Sequence, residues 1–533
     1  MNSIIKKNYM TIICLVLIII GEVVFFRNIL FTSALIGDGT DGILNTLFAE
    51  HWYQVLRGQE KWSELTCFYP AENVLSYSDM MLGVGIPYSF FRLLGFSKYI
   101  AVEIVYVIIH VVGSIAMYYF CFKCINLKEL VSLIVVWLFS FSTSYYALTT
   151  NPQMFTVSFI PILLIMIHKY YKNIKTKKRW VYGCLAVIFF EILFYTAFYV
   201  GFFMSLVFMF SLLSYFIVAI VVYLRKKERV IDKELVAHWK DYIVLLLLAI
   251  VLIGPFVYLY IPTVQQIGGR EWETVLQLIP TLKDVFNISD YTTTGYDSKY
   301  YNCHIGINII LFVLLVGLVI YSFVFNKNNK NKKNQLWLLI LFITCFLISI
   351  KIGNFSLWYV IWKIIPGASA IRAQARFIFM TVMILAFLIG VLINKINIKR
   401  RYLQNIIYVV VFVVVVVLNQ SNIGNTSNWT YEEIQKIEDN TSQPPKDCEA
   451  FFVTVDKETI DLYDSRIEIY AWVIAEKYGL KTLNGYSGQK PIGWDFDVYA
   501  DNYLEKVNEW INLNKLDNIY KYSFRTNSWE KYN

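Results

Sequence analysis

The sequence predicts an all-α polytopic membrane protein of about eleven transmembrane helices, N-terminus inside and C-terminus outside, with a small C-terminal extracytoplasmic α/β domain. Three observations predict it. Hydrophobic residues make up 57% of the 533-residue chain and charged residues only 16%, against about a quarter charged in soluble domains. The apolar residues fall in runs near the ~20 residues that a bilayer crossing requires. Every second connection between those runs is basic, which marks the cytoplasmic side.

The spans fall at 9–30, 99–122, 129–148, 154–168, 181–199, 202–224, 241–261, 305–325, 336–352, 376–394 and 403–419. The first is read as a retained helix, because its apolar core is longer than that of a cleaved signal and "TSA" at Thr32–Ala34 is a poor cleavage site. Lys6 and Lys7 precede it, and Lys123 and Lys128 follow the second span. "HKYYKNIKTKKR", "RKKERVIDK", "NKNNKNKKN" and "NKINIKRR" follow the fourth, sixth, eighth and tenth. The run 181–224 therefore has to turn back on itself, since both its flanks are basic.

The alternate connections then lie outside. Three are long, 31–98, 262–304 and 353–375, and they carry many aromatic and acidic residues. In the first, Leu44, Leu47, Phe48, His51 and Val55 recur at helical spacing, which predicts a helix lying in the interface plane. In the third, "NFSLWYVIWKIIPG" (354–367) predicts a second interfacial or re-entrant segment.

The transmembrane part thus spans 1–419 and the outer domain 420–533. In the latter, "AFFVTV" (450–455) reads as a strand, 466–479 as a helix closed by Gly479, "KTLNGYSG" as strand then turn, and 498–514 as an amphipathic helix. The tail holds 12 Lys+Arg against 19 Asp+Glu, a net −7, so the remaining residues carry +16 of the total +9. A basic membrane part with an acidic tail is a topology signal and not a sign of nucleic-acid binding. The cysteines show no metal spacing; Cys67, Cys303 and Cys448 are the ones placed outside, where a disulfide can form.

Chemistry concentrates in the outer loops. "IGDGTDGILNTLFAEHW" (36–52) sets Asp38 and Asp41 among glycines at the membrane edge. Asp41 is placed to cap the following helix, and Asp38 to make a turn. Alternatively, a carboxylate partly desolvated there has its pKa raised toward the range of a general base. Asp79, in the same loop, is a third acid; with Asp38 and Asp41 it forms the one candidate oxygen-ligand set for Mg²⁺ or Mn²⁺. In "PGASAIRAQARF" (366–377), Arg372 and Arg376 are four apart, on one face of a helix, and lie on the side where arginine is disfavoured. Their guanidinium forks suit phosphate, and Arg270 is a weaker candidate of the same kind. His51, Trp52 and the loop aromatics are candidates for contacting a sugar ring, though an interfacial belt accounts for most such rings. Within the spans Glu191 is the deepest ionisable group and the basis of a transporter reading. No GxxxxGK[ST] or HExxH motif is present.

The layout resembles the GT-C glycosyltransferases, integral-membrane enzymes that typically move a sugar from a polyprenyl-phosphate carrier to an extracytoplasmic acceptor. "DGILNTLFAEHW…FYPAENVLSYSDMMLG", "IRAQARF" and "LNGYSGQKPIGW" are similar to segments of a bacterial group of that type. The resemblance covers most of the chain by layout and about 60 residues by motif. It implies a multi-pass enzyme of the cell membrane whose partners are a lipid-linked sugar, membrane lipids and a glycan, lipid or protein acceptor. The family's key carboxylate falls on Asp41 first and Asp38 second. Two other classes stay open: a transporter of lipid-linked saccharides, which would depend on Glu191, and a non-catalytic envelope-assembly protein.

Overall fold

The computed structural model describes every residue except Met1, Asp38, 227–232, 287–305, 326–331, Asn397, Lys399, 421–429 and 456–463. Among the described residues eight helices are long and apolar enough to cross a membrane: Lys98–Cys124, Glu129–Thr150, Pro152–Lys172, Lys178–Thr196, Phe198–Arg225, Trp239–Ile267, Gln374–Asn394 and Tyr402–Asn419. The chain is a polytopic membrane protein. The three other expected spans, 9–30, 305–325 and 336–352, fall on shorter apolar stretches, Tyr9–Phe25, Ile309–Val324 and the helix Lys332–Ile348. At the second of these, the Asn308 side chain accepts the Ile310 N–H at 2.9 Å and starts the helix later than the apolar run begins.

Burial separates inner from outer spans. Glu129–Thr150 and Gln374–Asn394 are almost wholly enclosed, whereas Trp239–Ile267 exposes most of its apolar surface, as a lipid-facing helix does. The run 181–224 breaks at Ala197, whose extended backbone separates Lys178–Thr196 from Phe198–Lys226. Phe190 packs on Phe208 with ring centroids 5.7 Å apart, so the two helices do fold back on each other.

The helix in the first loop runs from Asp41 to Leu56, but it is no surface helix. Every residue from Gly42 to Trp52 is buried. The cover is the C-terminal part of the chain, with the Phe48 ring 5.3 Å from that of Trp472. The expectation of an interfacial helix is thus corrected: a second layer covers its other faces too, including the buried polar residues Asn45, Thr46, Glu50 and His51. In the third loop, the helix Trp358–Ile364 buries Trp358 and leaves Tyr359, Val360 and Ile364 exposed.

The C-terminal residues form a four-stranded sheet in the order Lys481–Thr482, Ala450–Thr454, Ile519–Ser523 and Ser528–Lys531. The first two pairings are parallel and the last antiparallel, with helices Asp464–Tyr478 and Tyr503–Asn514 supplying the crossovers. The last two strands are absent from the sequence reading. Residues 66–69 of the first loop hydrogen-bond to this unit in strand fashion, through Thr482 N–H to Thr66 O (2.8 Å), Tyr69 N–H to Thr482 O (3.0 Å) and Phe68 N–H to Asn484 O (3.0 Å). Trp510 adds an indole bond to Tyr69 O at 2.9 Å. Cys67 and Cys448 are both free thiols, and Cys303 lies outside the described residues.

Candidate active site

The two most enclosed spans present their ends to one place. Glu129–Thr150 leads into the turn holding Asn151, and Gln374–Asn394 begins two residues before Arg376. Asp41 opens the first-loop helix against that turn. The Asn151 Nδ2 donates to Asp41 Oδ2 at 2.5 Å, and Asn151 Oδ1 accepts from Arg376 Nη2 at 3.0 Å. One side-chain amide thus joins an acid and a guanidinium that are 335 positions apart in sequence. A second amide pair fixes the same contact: Asn45 Nδ2 donates to Gln153 Oε1 at 3.1 Å and to Asp41 O at 2.6 Å.

Asp41 is the first residue of its helix, not its cap. Thr40 holds the cap position, and no side chain caps the helix there. The acid still lies at the positive end of the helix dipole. The glycines around it serve a close approach of chain to chain. A side chain on Gly42 would meet Ile36 O at 2.5 Å, and one on Gly37 (φ +108°) would meet Gly42 Cα at 2.6 Å and Pro152 at 3.0 Å. Gly37, Gly39 and Gly42 match the GxGxxG spacing of dinucleotide sites, but among the described residues no strand precedes them and the helix they open leads into no strand. Asp38 lies outside the described residues.

Arg376 also stacks its guanidinium over the Tyr199 ring, 5.4 Å from the centroid. The Tyr199 hydroxyl accepts the N–H groups of Arg372 (2.9 Å) and Ala373 (3.3 Å), so one tyrosine positions both arginines. Arg372 is exposed, and no described carboxylate pairs with its side chain. Arg270 stands close enough for the Arg372 charge, after burial, to lower its pKa. Its own anchors are Ser369 O, accepting its N–H at 2.8 Å, and Gly488 O, accepting Nη2 at 2.5 Å.

Half-buried Asp79 sits on the other flank of Arg376. Its Oδ1 accepts the Phe198 N–H at 2.9 Å and so caps the helix Phe198–Lys226 from another loop. Burial raises its pKa to about 6, against the opposing effects of that N–H and the Arg376 charge. Among the described residues no three His, Cys, Asp or Glu side chains come together as a metal site.

His51 and Trp52 are enclosed side chains. His51 is fully buried, with Nδ1 2.5 Å from Glu60 Oε2 and Nε2 3.2 Å from Trp62 O, and the Trp52 indole donates to Met80 O at 2.6 Å. The contacts therefore link Asp41, Asp79, Arg376, Arg372 and Arg270 into one group. It adds three residues that the sequence reading does not name, Asn151, Gln153 and Tyr199. The available signal was "TTNPQ" (149–153), a polar turn between two apolar spans on the same side as the first loop.

In class, then, the molecule is a multi-pass membrane protein with paired acidic and basic groups at the mouth of its helix bundle, beneath a packed α/β unit. No family model matches the chain, and no curated protein matches it. Among solved structures it is similar to the oligosaccharyltransferase of Archaeoglobus fulgidus, solved in complex with zinc and sulfate. The TM-score is 0.47 and the identity 11%, over 95% of this chain and 67% of that one.

Proposed function

We propose that this chain is a membrane glycosyltransferase that moves a sugar from a polyprenyl-phosphate donor to an extracytoplasmic acceptor. The single observation that carries the reading is the Asp41–Asn151–Arg376 link, which holds a candidate base beside the segment that carries Arg372. Asp41 takes the proton of the acceptor hydroxyl as that oxygen attacks the anomeric carbon. The bond from that carbon to the phosphate oxygen breaks, and the charge left on the lipid phosphate is met by Arg372 and Arg270. Arg376 holds Asn151, and through it the orientation of Asp41. Asp79 supports this arrangement by fixing the start of the helix that carries Tyr199.

A Mg²⁺ or Mn²⁺ ion would take oxygen ligands from Asp41 and its sequence neighbour Asp38, and would offset phosphate charge. Asp79 is a poor third ligand because its Oδ1 already accepts a backbone N–H. The outer face, the cell membrane and an envelope glycan, lipid or protein as acceptor all belong to this proposal. The C-terminal unit accepts Arg270 Nη2 on Gly488 O, and its Ser487 Oγ donates to Tyr77 O at 2.7 Å, so it borders this group of residues.

One observation favours the transporter reading: Glu191 is buried in its span, and its Oε2 has no partner. The experiment that separates the two replaces Asp41 by Asn and Glu191 by Gln in cells lacking the native gene. The transferase reading expects loss of glycan modification only with Asp41→Asn, at unchanged protein abundance. Loss only with Glu191→Gln sinks it.

A further inference from the structure

A concave site lies on the bundle far from the Asp41 group. It is a cavity of about 200 Å³ lined by Tyr119, Lys123, Cys124, His168, Lys169, Lys172, Asn173 and Tyr182. Three helices form it: Lys98–Cys124 and Pro152–Lys172 at their ends, and Lys178–Thr196 at its start. The last of these locates it. Thr196 lies near the Asp41 group, its O accepting at 3.2 Å the N–H of Met81, two residues after Asp79. Tyr182 lies fourteen residues earlier on the same helix, about 20 Å away along its axis.

Its lining has three lysines and a histidine but no acid. Lys169 Nζ lies 5.8 Å from the Tyr119 ring centroid and 5.5 Å from that of Tyr182, held between two rings. Neighbouring cations of the same basic segment are paired, Lys175 with Glu234 at 2.9 Å and Arg179 with Asp241 at 2.6 Å. No described carboxylate pairs with Lys123, Lys169 or Lys172. Topology explains why lysines gather at this edge, but not why three of them surround one cavity without an acid.

We infer that this cavity binds a phosphate group, with Lys123, Lys169 and Lys172 as its charge partners and the tyrosine hydroxyls as neutral donors. The surroundings favour a lipid headgroup as the source. Ile108, Val112, Ile115 and Tyr119 are exposed at helical spacing, so an apolar stripe runs along the bundle surface into the cavity at Tyr119. An anionic lipid lying along the stripe would place its phosphate among the lysines.

The test uses the full chain in nanodiscs of phosphatidylcholine with increasing phosphatidylglycerol, read by native mass spectrometry of retained lipid. Lys169→Gln is expected to weaken phosphatidylglycerol retention about fivefold, the share of one lysine at a charged surface. Lys123→Gln is expected to do the same and replaces it if Lys169→Gln lowers the melting temperature. Lys175→Gln, in the same segment but outside the cavity, is expected to leave retention unchanged. Excess inorganic phosphate that fails to displace the lipid identifies a headgroup site. Phosphate that binds alone and is lost in Lys169→Gln identifies a free-phosphate site, and either result supports the inference. Equal weakening by Lys175→Gln, or no preference for phosphatidylglycerol together with no phosphate binding, overturns it.

Discussion

Asn151 donates its Nδ2 to Asp41 Oδ2 at 2.5 Å while its Oδ1 accepts from Arg376 at 3.0 Å. A neutral amide can serve an acid and a cation at once, since it carries a donor and an acceptor on one planar group. It orients both charges without cancelling either.

That relationship makes Asn151 a positioning residue with a measurable effect. Asn151→Ala is expected to lower sugar transfer about tenfold to hundredfold, as loss of a group that orients a catalytic one does. The melting temperature should move little. Asn151→Asp should be worse, because it sets a second carboxylate against Asp41. Transfer assays with purified protein check both, and an Asn151→Ala enzyme of full activity contradicts the role.

Arg372 has no described carboxylate partner and lies beside Arg270. Arg372→Ala is expected to cost about 1.5–3 kcal/mol in kcat/KM for a lipid-phosphate donor, the worth of hydrogen bonds to a charged group. Arg372→Lys should recover only part of this, because an ammonium lacks the planar fork. Full recovery by lysine would reduce the arginine to a point charge.

Asp79 gives a pH dependence whose sign is fixed. Its pKa is raised from 3.8 to about 6 in the folded chain, so the folded state binds more protons than the unfolded one between those values. Its contribution to stability is then present below about pH 4 and is lost as pH rises through about 6. Asp79→Asn keeps a neutral side chain throughout. The melting temperature of the wild type relative to this variant should therefore rise as pH falls from 7 to 5. A flat difference contradicts the shift.

The seam between the first loop and the C-terminal unit is tight at Gly485, where an added Cβ would lie 2.7 Å from the Phe68 ring. Phe68 cannot easily yield, being fully buried with its ring 4.9 Å from that of Trp494. Gly485→Ala is expected to destabilise by about 1–3 kcal/mol, the cost of overpacking. Limited proteolysis should release the C-terminal unit sooner than in the wild type.

Much of this was legible in the sequence. Apolar run length marked eleven spans, of which eight are long and apolar enough to cross a membrane among the described residues, and basic flanks required the turn that occurs at Ala197. Asp41, Arg376 and Arg372 stood out because a charge at a membrane edge is costly and needs a reason. Asn151 and Gln153 carried no such mark, because a neutral amide in a short turn looks like any loop residue. Their partners lie 110, 225 and 108 positions away in sequence. The burial of Gly42–Trp52 was hidden for the same reason: its cover, Trp472, lies more than 400 residues on, and periodicity reports one apolar face, not what packs on the others. His51 matched its helix by spacing alone, and only the fold reveals Glu60 and Trp62 closing both of its nitrogens.

The central claim is that Asp41 is the base of a transfer from a lipid phosphate. Its most direct test is mass analysis of surface glycans and lipid-linked sugars in cells whose only copy of the gene encodes Asp41→Asn. The account predicts normal protein abundance, accumulated lipid-linked sugar and an acceptor lacking that sugar. Acceptor carrying the sugar at the wild-type level would contradict it.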